Sequence, residues 1–209
     1  MLLTAQSHRV RRSQHASGIA LITAVIMLLV ITLLALGGAR IALDTKRSTR
    51  NQRDFEIAYQ AAEAALYDAE IDISEAAKRS SIFVPTSNAG FLAGDCNTGT
   101  TMPSAFLGLC DTSDGAGAPV WDTINWTAAN GNKTVEYGTF TGRSFPTGSG
   151  LTPARKPRYL IEILRDNANG SVASDSAPPR YKYRITAIGF GPNDTTRAIV
   201  QSVFRKADS

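Results

Sequence analysis

An uninterrupted apolar segment near the N-terminus constrains this chain more than any other feature. Residues 19–39 contain no charged side chain, and a leader that carries Arg9, Arg11 and Arg12 precedes them. A helix rises 1.5 Å per residue, so roughly 20 apolar residues cross a hydrocarbon core about 30 Å thick. The segment therefore predicts a single membrane-spanning helix.

A small residue at which the leader could be cut lies before the apolar segment. A secretory signal usually has an apolar region of about 7 to 15 residues and is cut after it, whereas Gly18 directly precedes Ile19. Cleavage after Gly18 would remove a basic leader, residues 1–18, and would leave the membrane helix on the mature protein. The hydrophobic pattern alone also fits a signal anchor that is never cut.

The next segment, residues 40–80, predicts an amphipathic continuation of the helix. It contains no Gly or Pro, and strong helix formers dominate it. Apolar residues recur at three- and four-residue spacing, which predicts a stripe that faces a folded domain. The members of this stripe are Phe55, Ala58, Tyr59, Ala62, Leu66, Ala69 and Ile73. Because adjacent glycines weaken a helix by roughly 1 kcal/mol each, we expect a local melt or kink at Gly37 and Gly38.

The remaining residues, 81–209, predict a loop-rich β-domain. Its first part is dense in Gly, Thr, Ser, Asn and Asp, which favours long loops with short strands. We expect the aromatic side chains of this part to anchor the loops to a core: Phe91, Phe106, Trp121 and Trp126.

Three later runs of β-branched and aromatic residues, 158–165, 180–188 and 196–205, predict an antiparallel sheet. Turn residues at 191–194 predict a hairpin between the last two strands, and residues 134–141 could add an edge strand. The alanine-rich stripe is the natural cover for the apolar face of this sheet. The fold class is therefore α+β, with a long N-terminal helix packed on a C-terminal sheet.

The basic leader that ends in Gly18, the apolar helix after it, the alanine-rich continuation and the β-domain together resemble a type IV pilin precursor. Within that family, three stretches resemble the PilX-type minor pilins: YQAAEAAL at 59–66, YRITAIGFG at 183–191 and TRAIVQSVF at 196–204. The resemblance implies that a prepilin peptidase cuts between Gly18 and Ile19 and methylates the new amino terminus of Ile19.

The same resemblance implies a location and a set of partners. The N-terminus would be cytoplasmic and the head periplasmic while the protein is in the inner membrane, and the protein would later reach the pilus at the cell surface. Other minor pilins, the major pilin and the inner-membrane assembly machinery would be its partners. Small residues of the membrane helix, among them Ala24, Gly37 and Gly38, would permit close packing with other pilin helices.

One position departs from the family pattern. Pilins usually carry Glu at the fifth mature position, where it neutralises the terminal amine of a neighbouring subunit, and here that position is Thr23. An unpaired charge in hydrocarbon is costly, so a subunit without this carboxylate is suited to a place with no neighbour above it. This favours a tip position and a role in starting assembly. The alternative is that Thr is merely tolerated at this position.

Two cysteines, Cys96 and Cys110, lie close together in the head sequence. In an oxidising compartment they could close a loop of about 15 residues, worth roughly 3 kcal/mol in the chain-entropy model. Such a bond would favour a head outside the cytoplasm. Two buried free thiols are the alternative, and two cysteines without a following histidine do not indicate a metal site.

Catalytic chemistry is not indicated. Both histidines, His8 and His15, lie in the leader, so the mature chain would have no His-based triad or His-ligated metal. The carboxylates Asp68, Glu70 and Asp72 are expected on a solvated helix face. Residues 111–115 resemble a calcium loop only faintly, because they lack the full EF-hand spacing and its terminal Glu. We expect no cofactor, no metal and no enzymatic activity.

The basic charge of the chain is concentrated in the leader. The formal net charge is +4, from 22 basic and 18 acidic residues, and three of the basic residues would leave with the leader. The composition therefore does not indicate nucleic acid as a partner. The favoured function is a minor pilin of a type IV pilus. The alternatives are a minor pseudopilin of a type II secretion system and a membrane-anchored periplasmic module for adhesion or binding.

Overall fold

The computed structural model describes residues 17–74, 79–99, 104–112, 119–128, 132–166 and 179–207. The chain divides into two compact units, Met1–Thr49 and Arg50–Ser209. The first unit contains the apolar segment, and the second contains the sheet and its loops.

Helix α1, Ser17–Ser74, contains the whole apolar segment and the alanine-rich segment. In the described residues it is the one helix that is long and apolar enough to cross a membrane. The expectation of a local melt at Gly37 and Gly38 is wrong, since both residues are helical. Two glycines cost roughly 1 kcal/mol each, which is too little to break a long run of hydrogen bonds between good helix formers.

The described helix ends at Ser74, short of the expected end near residue 80. Residues 75–78 lie outside the described part, and a 3₁₀ turn follows at Ser80–Ile82. Among the described loop residues of the head there is one further α-helix, the short α2, Val120–Thr123.

The sheet has six strands in the described residues. They are β1 Leu92–Ala93, β2 Leu109–Asp111, β3 Val135–Glu136, β4 Arg158–Arg165, β5 Tyr181–Phe190 and β6 Arg197–Phe204. Their order is β1-β2-β4-β5-β6, and β3 pairs with β4 beside β2. The three long strands are antiparallel and β5–β6 is the expected hairpin.

The sheet is mixed rather than purely antiparallel. The short strands β1 and β2 run parallel to each other, and β2 runs parallel to β4. A parallel pair needs a connection of a dozen residues or more, and the long loop between β2 and β4 supplies it. Of the edge strand expected near residues 134–141, only Val135–Glu136 is a strand, β3, and residues 137–141 form a turn.

Within the second unit, the alanine-rich part of α1 covers one face of the sheet. Five alanines on one side of the helix are buried together with Ile73. The alanines are Ala58, Ala61, Ala62, Ala65 and Ala69. Ala65, Ala69 and Ile73 pack against aromatic and branched residues of β4 and β5. Phe55 and Tyr59 do not belong to this face, because 51% of Phe55 and 39% of Tyr59 are exposed. The predicted stripe therefore differs from the buried face, because it includes the exposed Phe55 and Tyr59 and omits the buried Ala61 and Ala65.

The loops of the head cover the opposite face of the sheet. Trp126 is buried there against Leu160, Ile188 and Phe190, and Trp121 packs partly buried beside them. Phe91 and Phe106 pack against the core on the helix side. All four aromatic residues are thus loop anchors, as predicted.

Candidate functional site

The first candidate surface is the N-terminal part of α1. The described side chains from Gly18 to Thr49 are exposed, including those of Ile19 and Ala24. A β-carbon placed on Gly37 or Gly38 would meet no atom within 4 Å. These small residues leave the helix backbone open to the close approach of another helix.

Thr23 gives this surface no charge. Its hydroxyl Oγ1 lies 3.1 Å from the carbonyl oxygen of Ile19 and 3.0 Å from that of Ala20, so it donates its proton within its own helix. This local bonding is the ordinary way in which a helical Thr is satisfied in an apolar setting. A terminal amine from another chain would find no carboxylate here.

The second candidate site is a buried ion pair between α1 and the chain that follows it. Both Asp72 and Arg79 have fully buried side chains. The Arg79 guanidinium donates to the Asp72 carboxylate from Nε, at 3.0 and 2.8 Å, and from Nη2, at 2.6 Å. Tyr159 of β4 donates its hydroxyl proton to the same carboxylate at 2.9 Å, and burial raises the pKa of Tyr159 well above its usual value.

Arg79 also holds the loop that precedes β2. Its Nη1 donates to the carbonyl oxygens of Ala105 and Leu107, at 3.0 and 2.7 Å. The guanidinium carbon lies 3.8 Å from the centroid of the Phe140 ring, a cation–π contact. One buried side chain thus joins the end of α1, the loop before β2 and the turn after β3.

Asp68, one helical turn before Asp72, holds the turn after β3. Its carboxylate accepts hydrogen bonds from the Gly138 amide at 2.8 Å and from the Thr141 hydroxyl at 2.5 Å. Burial raises the pKa of Asp68, and the two hydrogen bonds oppose that effect.

The expectation of a solvated face for these acids is wrong, since Asp68 and Asp72 are both fully buried. Both lie on the same side of α1 as Ala61 and Ala65, which places them under the sheet and its turns. Glu70 is half-buried, and the Ser202 hydroxyl lies 3.4 Å from its carboxylate. The polar core therefore has a structural role, and it is not an acid/base pair open to a substrate.

A disulfide joins Cys96 to Cys110. It connects the segment after β1 to β2, and both residues are buried against the loop-covered face of the sheet. Asn97 supports the same loop, because its amide nitrogen Nδ2 donates to the carbonyl oxygen of Gly90 at 2.7 Å. The alternative of two free thiols does not occur in this structure.

The residues proposed from the sequence fall into both units. Those of the apolar segment lie in the first unit, and the cysteine pair lies in the second. In the described part of the chain, no group of three or more His, Cys, Asp or Glu side chains is arranged to hold a metal ion. Of the faint calcium loop, Asp111 and Thr112 are described, and Thr112 donates its hydroxyl proton to Glu162 at 2.9 Å; residues 113–115 lie outside the described part.

Comparison with known protein families agrees with this architecture. The family described as type IV pilus assembly protein PilX C-term matches residues 92–206, and the PilX N-terminal family matches residues 17–66. No curated protein and no solved structure matches the chain. The two family matches cover the apolar helix, the first part of the alanine-rich helix and the sheet, and the chain therefore belongs to the PilX family of type IV pilus minor pilins.

Proposed function

We propose that this minor pilin helps to start pilus assembly and sits at or near the tip of the filament. The observation that carries the proposal is the neutral Thr23 at the fifth mature position, whose hydroxyl bonds within its own helix. A pilin with Glu there can neutralise the amine of a neighbour, and this chain cannot. A subunit at the tip needs no such pairing, because no neighbour lies above it.

The route to that position begins with processing of the leader. A prepilin peptidase would cut between Gly18 and Ile19 and methylate Ile19, which would leave the apolar helix as the N-terminus of the mature protein. The head would lie in the periplasm and the N-terminus in the cytoplasm. The disulfide between Cys96 and Cys110 supports this orientation, because disulfides form and persist in oxidising compartments.

The membrane helix would then pack with the helices of other pilins, first in the inner membrane and later in the filament. The open backbone at Gly37 and Gly38 and the small side chain of Ala24 support close helix approach. Other minor pilins, the major pilin and the inner-membrane assembly machinery are the proposed partners. The PilX family matches favour the pilus over a type II secretion system.

A deletion strain complemented with variants tests the tip proposal. We expect deletion to remove most surface filaments and the wild-type chain to restore them. Thr23→Val should also restore them, because the side chain stays neutral and of similar size. Thr23→Glu should restore fewer, since it places a carboxylate where the proposal requires none.

Thr32→Glu is the matched control, because Thr32 also lies in the apolar helix and bonds to its own backbone. In electron micrographs of filaments labelled with an antibody against an epitope on the head, the label should lie at filament ends. Normal filament numbers with Thr23→Glu, an equal defect with Thr32→Glu, or label along the whole filament would contradict the tip assignment.

A further inference from the structure

The last strand, β6, forms an open edge of the sheet. It pairs with β5 along its full length, and no other strand in the described residues pairs with its outer side. Proteins usually protect such edges with prolines, bulges or very short strands, because free backbone groups can bind another chain. β6 is eight residues long and contains neither Pro nor Gly, and its one charged residue, Arg197, is at the first position of the strand.

The register shows which backbone groups of β6 face outward. The Gly191 amide donates to the carbonyl oxygen of Thr196 at 2.9 Å, so this residue pair is hydrogen-bonded. In an antiparallel ladder the bonded pairs alternate, and Ala198, Val200 and Ser202 therefore also direct their backbone groups toward β5. The residues between them direct their N–H and C=O groups to the open edge: Arg197, Ile199, Gln201 and Val203.

The side chains of these four residues also face away from α1. Ala198, Val200 and Phe204 pack on the side of the helix, and alternate residues of a strand point to opposite faces. Two of the four are apolar and well exposed, with 47% of Ile199 and 58% of Val203 accessible. An added strand would therefore gain backbone hydrogen bonds along the edge and apolar contacts on one face.

Charge decides between a second copy of this chain and a different partner. Antiparallel pairing of two β6 strands centred on Gln201 would place Ile199 opposite Val203, but it would also place Arg197 opposite Arg205. Like charges directly opposite each other destabilise a strand pair. Arg205 forms an ion pair with Asp166 at 2.6 Å, and Lys206, whose Nζ donates to the carbonyl oxygen of Ser80 at 2.7 Å, adds a further cation at the same end. Both ends of the edge are therefore basic.

We propose that β6 binds an extended segment of another pilus subunit as an added strand, and that this segment carries carboxylates near its ends. Main-chain hydrogen bonds would supply most of the affinity, and Ile199 and Val203 would select apolar side chains on one face of the added strand. The identity of the partner as a pilus subunit rests on the proposed function. The open edge itself does not.

Gln201→Pro tests the proposal with little disturbance of the fold. Proline lacks the N–H group and is tolerated in edge strands where that group faces solvent, as the Gln201 amide does here. Gln201→Ala is the matched control. Both variants lose the hydrogen bond from Gln201 Nε2 to Thr186 Oγ1, and only the proline variant loses the outward donor.

In the deletion strain, we expect Gln201→Pro to lower the number of surface filaments about tenfold, because it removes one backbone hydrogen bond and obstructs the added strand. Gln201→Ala keeps the backbone N–H group and should lower the number much less than Gln201→Pro. Normal filaments with Gln201→Pro would overturn the proposal. Intact filaments in the deletion strain itself would instead overturn the proposed function, so the two failures are distinguishable.

Hydrogen exchange on the wild-type chain gives a readout that does not depend on folding of the variant. The outward-facing amides of Arg197, Ile199, Gln201 and Val203 should exchange about tenfold more slowly in the assembly complex isolated from cells than in the full-length chain alone in detergent. Equal exchange rates would overturn the proposal. Gln201→Cys provides the test for a second copy, because a disulfide-linked dimer of the full chain would overturn the assignment to a different partner.

Discussion

Gly189 in β5 lies directly against the backbone of α1 at Ala58. A β-carbon on Gly189 would overlap the carbonyl oxygen of Ala58 and would lie 3.0 Å from the carbonyl carbon of Ala61. Glycine on the strand and alanine on the helix together allow this close approach. The sheet-to-helix distance in the head thus depends on the absence of one methyl group.

Gly189→Ala should therefore destabilise the head. The added methyl group has to push helix backbone away from the sheet, and overpacking of this kind costs typically about 1–3 kcal/mol. Urea unfolding of the full chain in detergent measures the effect. Gly99→Ala is the control, since the nearest atom to its added β-carbon is a Leu107 side-chain carbon at 3.7 Å. Equal stability of the two variants would contradict the close helix–sheet contact.

Asp72→Asn should be among the most damaging single substitutions in the head. The change leaves the fully buried Arg79 guanidinium without its counter-charge, which typically costs about 3–5 kcal/mol. Asp54→Asn is the matched control. Its partner Arg53 is exposed, and Arg53 Nη2 lies 3.5 Å from Asp54 Oδ1. Exposed ion pairs of this kind contribute at most about 1 kcal/mol. If the two variants have the same unfolding free energy within error, the buried pair does not stabilise the head as described.

Tyr183→Phe should leave the head as stable as the wild type or stabilise it by up to about 1 kcal/mol. The Tyr183 hydroxyl is buried without a hydrogen-bond partner among the described residues, and its ring stacks on Phe91. Tyr159→Phe should destabilise instead, because Tyr159 donates to Asp72. If Tyr183→Phe lowers the unfolding free energy in urea more than Tyr159→Phe does, the Tyr183 hydroxyl has a hydrogen-bond partner and the Tyr159 hydroxyl does not stabilise the head.

The Tyr183 hydroxyl also predicts a response to alkaline pH. Burial raises the pKa of Tyr183 from 10.0 to about 12. The folded state therefore holds the proton more tightly than the unfolded state does. This contribution to stability is complete below pH 10 and is lost as the pH rises through about 12. Unfolding free energies between these pH values should fall less steeply for Tyr183→Phe than for the wild type, and parallel curves would contradict the burial of this hydroxyl.

Removal of the disulfide should cost roughly 3 kcal/mol, the chain-entropy value for a closed loop of about 15 residues. The double variant Cys96→Ala and Cys110→Ala tests this without exposing a reactive thiol. A reducing agent should lower the unfolding free energy of the wild-type chain by a similar amount and should not affect the double variant. A wild-type chain that does not respond to reduction would contradict a stabilising role for the bond.

The sequence predicted the larger elements because they depend on strong, local patterns. A long apolar run and a Gly- and Pro-free continuation predicted α1, and β-branched runs with turn residues between them predicted β4, β5 and β6. Short strands were expected among the loops, but the positions of β1 and β2 and their parallel pairing were not predicted. Each has only two or three residues, so no periodicity marks them, and their pairing depends on a chain crossover that the sequence does not reveal.

The buried carboxylates were missed for a different reason. Charged residues on helices are mostly solvated, and composition gave no cause to treat Asp68 and Asp72 otherwise. Their spacing did hold a signal, because both follow Ala61 and Ala65 on one helical stripe. A stripe drawn through the alanines alone would have included the two acids and left out Phe55.

A tip pilin requires processing of the leader before the apolar helix, so the N-terminus of the mature protein is the most direct test. Mass spectrometry of the chain purified from its native membrane should find Ile19 as the first residue, with a methyl group on its amine. That result would place the apolar helix at the start of a processed pilin. An intact chain that begins at Met1, or cleavage after the apolar segment, would contradict it.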